Sequence, residues 1–308
     1  MDEFELIQTY FVRSDEAPGV TTGIGDDGAV LQPDAGRELI VVIDTLVEGI
    51  HFPDGTDPLD IAYRAVAVNL SDIAAMGGRP RWMTLALTLP SAEESWISRF
   101  AEGLHAAATE HHVALVGGDT TRGKSLVVSV ALTGDVATGG AIKRSGAQVG
   151  DHIFVTGTVG DAAAGLELLS AGEPQPYLSS RFFRPTARVG YGQALSGIAT
   201  AAIDLSDGLF ADLSKLLAAS GVGGVLQIEK LPLSKELRQL FDPEAQRRFA
   251  LSGGDDYELC FTAPAGKAPV LSGLPVTRIG SIAEGESLIC HLDGQVVPFE
   301  DSGYRHFA

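Results

Sequence analysis

The chain has 308 residues, 45% hydrophobic and 20% charged, which is enough for two domains with their own cores and is not the composition of a disordered polymer. A net charge of -18 offers no basic stripe to displace counterions from nucleic acid, and no apolar run reaches the roughly 18 residues that cross a bilayer. The acidic opening "MDEFELIQTYF" lacks the basic start of an export signal, so a cytoplasmic protein is expected, and Cys260 and Cys290 are too few and too far apart in sequence for a disulfide framework or a metal knuckle.

In chain order, the first motif is "GIGDDG", a match to G-x-G-x-x-G at Gly23, Gly25 and Gly28. A dinucleotide reading fits poorly, because no convincing strand precedes it, no long helix follows it, and Asp26 and Asp27 would repel a pyrophosphate. Residues 38–49 then read as a strand. A helix over 57–76 is opened by Asp57-Pro58 and closed by Gly77-Gly78, followed by a strand over 81–89 and a helix over 91–112. "GGDTTRGKS" comes next and formally matches the phosphate-loop pattern from Gly118 to Lys124 and Ser125. A phosphate loop needs a helix to leave it, yet "LVVSVALTGDV" follows with the β-branched look of a second strand. The polar, glycine-rich stretch 138–151 marks a domain boundary, predicting domains over 1–138 and 139–308. The second opens with a strand, "HIFVTG", a turn at Gly157 and Gly160, and the helix "DAAAGLELLSAG"; that helix start could face an anion or be a tight turn.

Six places set aspartates among glycines and apolar residues: Asp26 and Asp27, Asp44, Asp72, Asp119, Asp204 and Asp207, and Asp255 and Asp256. One such residue alone is a cap or a turn. Six together suggest carboxylates gathered at strand ends, where glycine admits close backbone approach. Two unit charges about 4 Å apart repel by about 4 kcal/mol at an effective dielectric near 20, so these acids can face phosphates only through metal ions. Hard oxygen donors without a convergent His/Cys set suit Mg²⁺, and EF-hand spacing, which would suit calcium, is absent. Asn69 and Asp72, three apart, share a helix face.

Taken in order, "GIGDDGAVL", "DTLVEGIHF", "AVNLSDIAAMGG", "LVGGDTTRG", "RSGAQVGD", "VTGTVGDAAAGL", "AIDLSDGL" and "SGGDDYELCFT" resemble the thiamine-monophosphate kinase family along nearly the whole chain. That family is similar to aminoimidazole ribonucleotide synthetase, selenophosphate synthetase and the hydrogenase-maturation dehydratase, ATP users with a two-domain mixed α/β fold. The resemblance implies a homodimer joined through the N-domain sheet, with ATP and several Mg²⁺ ions between the domains. It further implies transfer of the γ-phosphoryl group of ATP to thiamine monophosphate, giving thiamine diphosphate in the last step of its biosynthesis. Carried over by position, the metal ligands are Asp27, Asp44, Asp72, Asp119, Asp204 and Asp207; ATP is met by Gly118, Asp119, Arg144 and Ser206; and His51, Asp255 and Tyr304 face the thiamine substrate.

No catalytic base is expected. The acceptor is a phosphate monoester whose second pKa is about 6, so near neutral pH it is already largely a dianion. The chain departs from the family pattern at Val42 and Ile43, where small hydroxyl residues are common, and at Asp255, where Glu is common. Two other classes stay open on the sequence: a sister enzyme with a different acceptor, and an acidic metal-binding module without turnover.

Overall fold

The computed structural model describes residues 3–13, 17–267 and 273–299. The chain divides into two compact units, Met1–Ile73 with Gly78–Gly139 and Ala74–Gly77 with Gly140–Ala308.

The first unit begins with helix α1 (Glu3–Tyr10) and a short antiparallel ribbon of β1 (Val20–Thr22) and β2 (Val30–Leu31). The glycine-acid turn joins those two strands, so no helix follows "GIGDDG". Then come β3 (Arg37–Val47), α2 (Pro58–Ala75), β4 (Arg79–Leu89), α3 (Glu94–Glu110), β5 (Ala114–Arg122) and β6 (Val127–Ala137). They build a four-stranded sheet in the order β3-β6-β4-β5, with β4 and β5 parallel and the other pairs antiparallel. Each predicted element is present within a few residues of its expected ends. The main difference lies at β5, which continues through Gly117, Gly118 and Asp119 to Arg122 instead of opening into a loop. Gly118 explains this: a Cβ there would stand 2.1 Å from the Leu85 carbonyl oxygen, so only glycine lets β5 lie this close to β4.

Alternation along β3 separates its faces. Ile40 and Leu46 are buried with the core, whereas Leu39, Val41 and Ile43 point the other way, exposed by 49%, 69% and 68%. Asp57 opens α2 by accepting the Leu59 N–H at 3.0 Å and binds Arg99 of α3. Gly103 of α3 lies so close to α2 that a Cβ would meet the Leu59 oxygen at 2.1 Å. At one end of the sheet the fully buried Asp135 accepts hydrogen bonds from Arg37, Arg79 and Arg81.

The second unit comprises β7 (His152–Thr156), α4 (Asp161–Ser170), α5 (Pro176–Phe183), α6 (Val189–Ala194), β8 (Ala201–Asp204), α7 (Leu209–Ser220) and β9 (Gly223–Gln227). After these come α8 (Lys235–Leu240), α9 (Pro243–Ser252), β10 (Leu259–Ala263), β11 (Val276–Ala283), β12 (Leu288–Leu292) and β13 (Gln295–Val297). Its sheet runs β13-β12-β9-β11-β7-β10-β8, mostly antiparallel, with β12 and β9 parallel. Leu209, Leu213, Leu216 and Leu217 of α7 recur at helical spacing and pack with Ile203, Leu226, Cys260 and Ile279 in the main core of this unit. Cys260 and Cys290 are both buried and unpaired.

Candidate active site

In the first unit the sheet register fixes the positions of the acids. Asp44 stands across from Val130, on the β3 face shared with buried Ile40 and Leu46. Asp119 stands across from Ala86, which is itself across from Ser129, in a row that ends at Thr45; Thr45 and Ser129 hydrogen-bond at 2.7 Å. Strand alternation therefore sends Asp44 and Asp119 to opposite faces of one sheet. Asp72, on α2, is half-buried. One turn earlier, the fully buried Asn69 donates to the Ala65 carbonyl at 2.9 Å, while its Oδ1 has no hydrogen-bond partner among the described residues. Asp27 is exposed on the turn between β1 and β2, where its N–H donates to the Asp26 carboxylate at 2.8 Å. His51 follows β3, and its Nδ1 accepts the Val47 N–H at 3.1 Å, which puts the ring proton on Nε2. Lys124 is exposed in the connection from β5 to β6, with no helix behind it.

In the second unit two motifs fold into one structure. The Asp255 N–H donates to the Ser206 carbonyl at 2.9 Å and the Tyr257 N–H to the Leu205 carbonyl at 2.8 Å, extending the pairing of β8 with β10 beyond Asp204. A side chain at Gly254 would place its Cβ 2.3 Å from the Ser206 oxygen, so glycine is required for this contact. Asp204, Ser206, Asp207 and Asp255 are thereby brought together. The backbone is left-handed at both Asp255 (φ 69°) and Tyr257 (φ 51°), and the Tyr257 hydroxyl donates to Asp255 Oδ1 at 3.2 Å. The segment carrying Arg144 runs beside β8, with the Ala202 N–H donating to the Lys143 carbonyl at 3.0 Å and the Ser220 hydroxyl to the Arg144 carbonyl at 3.1 Å; the Arg144 side chain is exposed. Tyr304 lies outside the described residues.

Three groups that sequence reasoning passed over hold this site. Asp212 Oδ2 accepts the backbone N–H groups of Ser206, Asp207 and Gly208 at 3.0, 2.9 and 3.2 Å. Lys215 bridges the other oxygen of Asp212, at 2.8 Å, to the Asp207 carboxylate. Tyr257 is the third, through its bond to Asp255. The only sequence signal was an acid in the first turn of the helix after "LSDG". The start of α4, left open between an anion seat and a tight turn, is filled from within: Asp256 accepts the Gly160 N–H at 2.7 Å and the Ala162 N–H at 3.4 Å. Burial raises the pKa of Asp256 well above the usual carboxylate range, against the pull of those N–H groups and of Arg181. Asp212 is also raised, first by burial, with Lys215 opposing. Beneath them, fully buried Glu258 binds Arg181, Arg188 and the Thr156 hydroxyl. Two amides at the start of α4 and three in the loop that leads into α7 are thus bound by the protein's own carboxylates.

The residues suit Mg²⁺. Their donors are hard oxygens, and Asn69 Oδ1 is an unsatisfied one beside Asp72. Among the described residues no three His, Cys, Asp or Glu side chains form a ready-made metal cage. Mg²⁺ does not require one, since it is typically held by one or two carboxylates, waters and substrate phosphates.

Residues 25–136 match the family model for the N-terminal domain of AIR synthase related protein. The thiamine-monophosphate kinase of Salmonella typhimurium is 47% identical over 99% of this chain and 98% of its own length. The chain belongs to the thiamine-monophosphate kinase family. The Bacillus subtilis member is 38% identical over the full length of both chains. Among solved structures, the thiamine-monophosphate kinase of Stenotrophomonas maltophilia superposes with a TM-score of 0.88 at 46% identity, covering 96% of this chain and 98% of that one. AaThiL complexed with AMPPCP and TMP gives 0.81 at 37% identity over 92% of each chain. The fold extends to the hydrogenase maturation protein HypE, at a TM-score of 0.77 and 21% identity, covering 97% of this chain and 95% of that one.

Proposed function

We propose that the protein catalyses transfer of the γ-phosphoryl group of ATP to thiamine monophosphate, yielding thiamine diphosphate and ADP. The observation that carries this reading is the full-length likeness to thiamine-monophosphate kinases, one of them solved with an ATP analogue and TMP bound. The site supports it. In the second unit Asp204, Ser206, Asp207 and Asp255 meet where β8 ends, and Asp212 and Asp256 already bind amides of the Ser206–Gly208 loop and of the start of α4, which favours holding a nucleotide through side chains and metal.

On this reading Asp27, Asp44, Asp72, Asp119, Asp204 and Asp207 hold Mg²⁺; Gly118, Asp119, Arg144 and Ser206 meet ATP; and His51 and Asp255 face thiamine monophosphate. Bound Mg²⁺ supplies charge screening between two anionic groups and the carboxylates that surround them. Gly118 seats β5 against β4 and so places Asp119, Arg144 offers a bidentate donor pair to phosphate oxygens, and His51 presents its Nε2–H as a donor. Since the acceptor oxygen is already deprotonated near neutral pH, the protein's work is in-line alignment and electrostatic screening rather than proton abstraction. The enzyme is further proposed to be a cytoplasmic homodimer joined through the exposed β3 face, where Leu39, Val41 and Ile43 form an apolar stripe. Product analysis with ATP, Mg²⁺ and thiamine monophosphate tests the reading. Thiamine diphosphate is expected, with thiamine itself left unphosphorylated and no phosphoenzyme trapped; turnover of thiamine but not its monophosphate refutes it.

A further inference from the structure

We propose that Asp212 is a positioning residue for the nucleotide side of this site, holding the Ser206–Gly208 loop so that Ser206 and Asp207 face ATP and its metal. The inference rests on the reading above that this loop meets ATP and Mg²⁺. The geometry is specific: one carboxylate oxygen takes three consecutive backbone N–H groups, and the other takes Lys215, which also reaches Asp207. Asp212 is 1% exposed and both its carboxylate oxygens are taken by the loop amides and Lys215, so it acts through the loop. Three amides fixed on one atom set the peptide planes on both sides of Ser206 and Asp207. Lys215 ties the Asp207 side chain to the same anchor. The opposite flank is closed by the Ser206 carbonyl accepting from Asp255, so the loop is clamped from two directions.

Replacing the carboxylate frees three amides and one lysine at once. In Asp212→Ala the KM for ATP, the Mg²⁺ concentration for half-maximal rate and the Kd for a non-hydrolysable ATP analogue are each expected to rise tenfold or more, while the KM for thiamine monophosphate stays within twofold. Asp212→Asn keeps one acceptor oxygen for the amides and is expected to recover part of the loss; it also carries the test if the alanine variant does not fold. Equal changes in both substrates' constants, or a lower melting temperature with unchanged constants, would mean a purely structural role and overturn the proposal. Asp207→Asn separates the layers. If it weakens ATP and Mg²⁺ use while both Asp212 variants behave as wild type, the positioning role alone fails; if it too is inert, the assignment of the loop to the nucleotide fails and takes the positioning role with it.

Discussion

Asp119 and Lys124 stand five positions apart, one in β5 across from Ala86 and the other exposed in the following connection. On the proposed chemistry, Asp119→Asn removes a metal-facing charge and lowers kcat by at least a hundredfold, the scale on which a preorganised electrostatic group acts. Lys124→Ala retains most of the activity, and steady-state kinetics on the two variants settles which residue matters. Asp135 offers a stability test. Burial pushes its pKa up, but hydrogen bonds from Arg79 and Arg37 outweigh that, and the net shift is downward from 3.8. A lowered carboxylate stabilises the fold above its unfolded pKa and loses that contribution as pH falls through its folded value. Asp135→Asn is therefore expected to cost about 3 kcal/mol at pH 7 by urea denaturation, leaving three arginines short of a partner, with the gap to wild type narrowing well below pH 4. Sequence pattern singled out Asp204, Asp207 and Asp255, because acids among glycines are visible locally, while Ser206 came only with the family resemblance. Asp212 was not legible as part of the site: its role depends on three amides converging on one oxygen, which no spacing displays.

At the level of elements, the first unit was readable because its helices and strands are long. Strand β4 alternates from Thr84 to Leu89, α3 carries helical periodicity, and Pro58 marks the start of α2. Beyond residue 172 the elements shorten to between three and twelve residues, and the strand order departs from chain order, so local pattern does not specify the pairing. The extent of β5 was also hidden, since "GGDTTRG" looks like a loop until β4 is seen against it. That contact makes a prediction: Gly118→Ala forces β5 away from the Leu85 carbonyl, with an expected loss of about 2 kcal/mol in melting experiments. Because Asp119 is next in the strand, the KM for ATP is expected to rise in the same variant.

For the whole molecule, the β3 face carries the proposed self-association. Val41 and Ile43 are among its most exposed apolar residues, so a double Val41→Glu, Ile43→Glu variant is expected to sediment as a monomer at concentrations where wild type is a dimer. A wild-type monomer in analytical ultracentrifugation would remove the dimer from the proposal. Selection acts on the molecule through its left-handed pair as well. Holding a non-glycine residue at positive φ costs roughly 1–2 kcal/mol, and Asp255 and Tyr257 both sit there, on either side of the aspartate that caps α4. A laboratory population selected only for heat resistance, with no demand for turnover, is expected to discard this arrangement early, Asp255→Gly being the simplest escape. Such a variant gains a few tenths to about 1 kcal/mol, after allowing for the looser unfolded chain of glycine, and, on the proposed role of Asp255, forfeits affinity for thiamine monophosphate. Thermal challenge followed by sequencing, run with and without selection for thiamine diphosphate, would reveal that opposition as divergence at codon 255.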